Sequence, residues 1–172
     1  MRPHRARAAV LTLAAWLATT SLALAQTAVA PPGEQPVEPY QPSNAKAGAS
    51  PLPDRATFEA FHGAPGLARI ASDLVDRNMA DPRIKDFFAT TDVVRIKRIL
   101  AEQFCYVLGG GCDYSGRDMA AAHKDQGVAP RDFNAVVENL QWAMAREGVP
   151  FAAQNRLLAK LAPMSRAINE RR

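Results

Sequence analysis

From Asp54 onward the apolar residues of this 172-residue chain recur on a 3.6-residue period, with no hairpin pattern between them. That period restricts the domain to packed helices. Leu67, Ile70, Ala71, Leu74, Val75 and Met79 share one face of a helix expected to end near Asp81-Pro82. Proline cannot continue it, and the residue before proline avoids helical angles. A short turn carries Ile84, Phe87 and Phe88. Thr91 or Asp92 can cap the next helix, whose face is Val93, Ile96, Ile99, Leu100, Phe104 and Val107 and which Gly109-Gly110-Gly111 ends. Pro130 suits a first helical position ahead of Phe133, Val136, Val137, Leu140, Ala143 and Met144. Beyond Gly148-Val149-Pro150, a last helix carries Phe151, Leu157, Leu158, Leu161, Met164 and Ile168, with a kink expected at Pro163. The fold class is all-α. One interval departs from the pattern: between Gly109 and Pro130 only a short helical piece fits, from Asp118 to about Lys124.

The helical pattern covers only residues 54–172, about 120 residues, which suits one domain with one core. Residues 1–25 read as a secretory signal. Arg2, His4, Arg5 and Arg7 precede an apolar run from Ala8 to Leu24, and Ala23-Leu24-Ala25 is a cleavage pattern. The run is short for a membrane span, so no stable span is expected after cleavage. Export to the periplasm, or secretion, follows as the expected localisation. Removing the three arginines of residues 1–25 takes the formal charge from +4 to +1, which gives nucleic-acid binding no support. Residues 26–53 hold seven prolines among small and polar residues, from Pro31 to Pro53. A disordered, extended linker is expected there, because so little apolar surface cannot offset the entropy of ordering.

His123 is the candidate metal ligand. His4 lies in the segment expected to be removed, and His62 stands beside a glycine as a surface or junction residue. A lone histidine is ordinarily a structural residue, so its surroundings must decide. A loosely held segment between Gly109 and Pro130 can lie against a large flat ligand.

Read together, Phe87-Phe88, Leu108-Gly109-Gly110, Tyr114-Ser115-Gly116, Met119, His123, Gly127 and Phe133 resemble the group I truncated haemoglobins, over roughly Phe58 to Ile168. The resemblance implies a truncated globin fold, a two-over-two helical sandwich around haem b, with His123 as the proximal iron ligand. Neutral imidazole binds iron through one ring nitrogen and donates its other N–H to an acceptor. The resemblance also implies that Phe88 packs on the haem with Phe87 behind it, that Met119 lies on the proximal face, and that Arg95 reaches a propionate. A solvated helix-surface charge is the alternative for Arg95. Val136, Val137 and Leu140 would close the apolar side, with Ile96 and Leu100 opposite. Phe104 matches an aromatic that gates a ligand tunnel in some members, or serves the core alone.

The distal side departs from the family pattern. Where members carry a tyrosine and a glutamine or other polar residue, this chain has Val75, Ile96, Ile99 and Leu100. A hydrogen bond to dioxygen polarised by iron resembles one to a charged group, about 1.5–3 kcal/mol, so its loss weakens affinity roughly 10- to 100-fold. Gln103, one turn after Leu100, reads as a surface or rim residue, and Tyr106 is expected to face away.

Cys105 and Cys112 are the only cysteines. Export to an oxidising compartment favours a disulfide that ties the loop to the helix covering the haem. The expected function is reversible binding of a diatomic gas (O2, NO or CO), with a separate reductase as a partner. The alternatives are a haem enzyme, such as a nitric oxide dioxygenase or weak peroxidase, and a haem-free interaction module.

Overall fold

The computed structural model describes residues 30–169, and every regular element among them is helical. The signal-like residues 1–25 lie outside the described residues. A short α1 (Ala56–Ala60) leads into α2 (Gly63–Ala80), then a 3-10 turn (Lys85–Phe88), α3 (Val93–Val107), a short α4 (Met119–Ala122), α5 (Pro130–Arg146) and α6 (Phe151–Leu161). Pro163 sits in a 3-10 turn (Ala162–Met164) that redirects the chain into α7 (Ser165–Ile168), where the sequence places a kink.

The local chemistry explains these limits. Asp92 caps α3, its carboxylate accepting from the Arg95 amide at 3.1 Å, and Asp118 caps α4 through the Ala121 amide at 2.8 Å. Pro130 occupies the first turn of α5, and Asp132 reaches back to the Ala129 amide at 3.0 Å. Past α3 the chain must turn tightly. A Cβ on Gly110 would stand 2.5 Å from the Phe58 ring and 2.6 Å from the Cys105 sulfur, so only glycine fits.

α2 packs on α3 and on α5, and α5 packs on α6, giving two layered helix pairs. Leu67, Ile70 and Leu74 of α2 meet Phe104 and Val107 of α3 and Leu140, Ala143 and Met144 of α5 in one core. Each such side chain contributes about 1.5–3 kcal/mol by leaving water. A polar knot locks α2 to α5: buried Asn139 donates to Asn78 at 2.9 Å and to Asp81 at 3.1 Å, and accepts from Arg77 at 2.9 Å. A second, smaller core joins Val128, Met164 and Ile168 with Phe87, Met119 and Ala49. It seats α4 against α7.

Two residues assigned to the apolar faces lie outside the core. Met79 is 40% exposed near the end of α2, and Phe151 is 70% exposed as the first residue of α6. The larger correction concerns residues 30–53, expected as a disordered linker. They dock on the helices. Ala47 is fully buried in a 3-10 turn (Asn44–Ala47), and Leu52 donates its amide to the Val107 carbonyl at 2.9 Å. Asn44 donates to the Asp113 carboxylate at 2.9 Å and accepts from the Tyr114 amide at 2.7 Å. The segment needs no core of its own, because anchors on a surface already folded offset its ordering entropy.

Candidate functional site

Between the two helix pairs lies an apolar cavity of about 420 Å³. That is within the range of sites that enclose a small organic ligand. Phe87 and Phe88 of the 3-10 turn, Ile96, Ile99, Leu100 and Phe104 of α3, and Val136, Val137 and Leu140 of α5 all line it. Met119 and His123 close it from α4 and the residue after it, and Arg95 stands at its polar edge. Thus the structure gathers nearly every residue assigned to the site onto one cavity. Val75 is the exception. It is fully buried in the core, and its neighbour Leu74 lines the cavity instead. A helix turns 100° per residue, so a one-residue difference decides which side chain reaches the space.

His123 follows α4, and its backbone amide and ring both turn back on that helix. Nδ1 lies 2.8 Å from the Met119 carbonyl oxygen. A carbonyl only accepts, so Nδ1 carries the hydrogen and donates it. The lone pair is then left on Nε2, the tautomer an imidazole needs to bind a metal.

Arg95 is half-enclosed between Asp92 and Glu34, at 3.5 Å from each carboxylate, and one of its terminal nitrogens donates to the Gln35 carbonyl. Its Nε is buried without a hydrogen-bond partner; Asp92 sits within ion-pair range but off the hydrogen-bonding direction. A guanidinium at the edge of an apolar cavity suits the carboxylate of a ligand whose body is apolar.

Ile96, Ile99 and Leu100 of the distal wall carry no side-chain donor. Gln103 does line the cavity, against its expected surface position, and is 4% exposed. Its amide nitrogen donates to the Ala47 carbonyl at 2.8 Å and lies near the sulfurs of Met119 and Met164. The docked turn Asn44–Ala47 covers the face of α3 that Gln103 was expected to expose to water. Tyr106 does not line the cavity, as its helical position predicts. Tyr114 does, with its hydroxyl committed to the Arg117 carbonyl at 2.8 Å and its ionisation suppressed by burial.

The lining residues missed from sequence include Leu74, Ile84 and Tyr114 on the buried wall and two at the mouth. Val37 and Tyr40 line it from the proline-rich segment. The available signal was an aromatic and a β-branched residue in a segment otherwise small and polar. At the far end of α3, the sulfurs of Cys105 and Cys112 stand at bonding distance, with Cα atoms 5.7 Å apart. His62 lies away from the cavity and pairs with Glu147 at 3.0 Å.

The family model described as bacterial-like globin matches residues 56–170. The chain belongs to the bacterial-like globin family. This globin is 30% identical over 125 residues to the group 1 truncated hemoglobin LI410 of Chlamydomonas moewusii, covering 67% of this chain and 71% of the relative. It is 28% identical over 108 residues to the group 1 truncated hemoglobin GlbN of Mycolicibacterium paratuberculosis, covering 63% of this chain and 79% of that protein. Among solved structures, the truncated hemoglobin from Tetrahymena pyriformis in its Fe(III) form superposes with a TM-score of 0.64 at 24% identity, over 67% of this globin and 98% of that chain. That superposition carries the fold: the two helix pairs of this globin form a two-over-two sandwich.

Proposed function

We propose that this globin binds haem b in the cavity between its helix pairs and uses it to take up a diatomic gas reversibly. The observation that carries the reading is His123, which lines the cavity and whose Nδ1 hydrogen bond leaves the ring's lone pair on Nε2. His123 would hold the iron, Phe88 and Met119 would flank the ring, and the Arg95 guanidinium would meet a propionate. Bound haem supplies an iron centre with a coordination position for O2, NO or CO. Around it, Ile96, Ile99 and Leu100 exclude water and donate no hydrogen bond. That wall favours CO or NO relative to dioxygen, whose polarised form gains most from a donor.

The globin is further read as exported, from the signal-like residues 1–25, with Cys105 and Cys112 forming a disulfide in an oxidising compartment. Among the described residues no helix is long and apolar enough to cross a membrane. Reduction of the iron would fall to a separate reductase, since the sequence carries no flavin or nicotinamide motif.

The test is an absorption spectrum of the full chain supplied with haem. A Soret band that His123→Ala displaces or abolishes is expected. No Soret band in the unaltered chain would overturn the reading.

A further inference from the structure

The match to the globin family begins at residue 56, yet the cavity is not complete without residues that precede it. Val37 and Tyr40 line the cavity mouth beside Arg95 and Arg117. Arg117 also stacks on the Tyr40 ring, 5.2 Å from its centroid. The segment is fastened on both sides of that mouth. Towards the start of α3, Glu34 forms a two-pronged pair with Arg98, at 2.5 and 2.9 Å, and the Gln35 amide donates to Asp92 at 2.6 Å. Towards the loop that leads to His123, the Tyr40 hydroxyl donates to the Ser115 carbonyl at 2.7 Å. Arg98 spans both sides, since it also donates to Ser115 Oγ at 2.5 Å.

Glu34 is the centre of this fastening. Its side chain is 1% exposed although it sits in a proline-rich stretch, and both its neighbours are arginines of α3. It pairs with one edge of Arg98 while standing 3.5 Å from the guanidinium of the cavity-lining Arg95. A segment serving only as a spacer has no use for a buried carboxylate placed between Arg98 and the cavity-lining Arg95.

We propose that residues 30–42 are a strap of the haem site: latched by Glu34 to Arg98, they lay Val37 and Tyr40 across the cavity mouth and hold the haem in. This rests on the haem reading above. The strap closes the edge at which the carboxylates of haem would meet Arg95, and it bridges the distal helix α3 to the loop carrying the proximal histidine. Haem leaving by that edge must first displace it.

The test is the rate of haem transfer from the full ferric chain to an excess of apomyoglobin. Variants of that chain are one lacking residues 30–42, Glu34→Ala, and Glu38→Ala as a control on an exposed carboxylate of the same segment. Deletion removes the Val37 and Tyr40 contacts and should speed transfer at least about 10-fold. Glu34→Ala removes the charge-assisted pair and should speed it about 3- to 10-fold, with Glu38→Ala unchanged. Far-UV circular dichroism checks that helicity is retained; if the deletion loses it, Glu34→Ala decides alone. Equal transfer rates for Glu34→Ala and the unaltered chain, each with an intact Soret band, would overturn the strap and leave the haem reading standing. Absence of the Soret band in the unaltered chain would overturn both.

Discussion

Replacing Leu100 with glutamine should slow dioxygen release from the ferrous protein about 10- to 100-fold. Leu100 lies on α3 and lines the cavity in a wall whose other α3 members, Ile96 and Ile99, are also apolar. The polar groups nearest that wall are engaged elsewhere: Gln103 donates to Ala47, and the Tyr114 hydroxyl to Arg117. An amide at position 100 would be the first side-chain donor there. A hydrogen bond to a partly charged acceptor contributes about 1.5–3 kcal/mol, which gives roughly 10- to 100-fold in the equilibrium and appears mainly as a slower off-rate. Carbon monoxide draws less charge from iron, so its release should change little. The assay is stopped-flow displacement of dioxygen by carbon monoxide, with laser photolysis for the carbon monoxide rates. Val75→Tyr supplies the contrast. Val75 is fully buried and does not line the cavity, so the larger side chain overpacks the core and costs about 1–3 kcal/mol. If Leu100→Gln left dioxygen release unchanged while the Soret band stayed intact, the donor-free distal wall would not be what governs affinity.

Gln103→Leu should lower stability by about 1–3 kcal/mol in a chemical denaturation curve, because it orphans the buried Ala47 carbonyl. Gly110→Ala should destabilise by roughly 1–3 kcal/mol, since its Cβ meets Phe58 and the Cys105 sulfur; a thermal midpoint within a degree of the unaltered protein would contradict this. Glu147 is held at a pKa of about 2, chiefly by its hydrogen bond from Arg69 and then by His62. Because the folded value lies below the unfolded one near 4.3, its contribution is present above about pH 4.3 and fades as pH falls through about 2. Acid unfolding followed by circular dichroism should therefore be flatter across that window in Glu147→Gln.

Helix order was legible in the sequence because it depends on local rules, and the cavity wall because the motifs resemble those of the group I truncated haemoglobins. Pro82, Asp92, Pro130 and Pro163 punctuate the chain where their backbone chemistry requires it. His123 stood out because no other histidine shares a segment so poorly suited to plain helix packing. What was not legible depends on long-range covering. The proline-rich segment has the composition of a free linker, and nothing local reveals that Glu34 meets Arg98, 64 residues away. Gln103 was misplaced for the same reason, since the cover over it is Ala47 of that segment. Val75 against Leu74 was a question of helix rotation, which a sequence resolves only to about one residue in each turn.

Whether His123 is the iron ligand is tested most directly by His123→Gly with added imidazole. Removing the side chain leaves room for free imidazole beside the Met119 carbonyl that now orients the ring. The variant, supplied with haem, should have an altered ferrous–carbon monoxide spectrum that imidazole returns to that of the unaltered protein. A spectrum identical to the unaltered protein before any imidazole is added would contradict it.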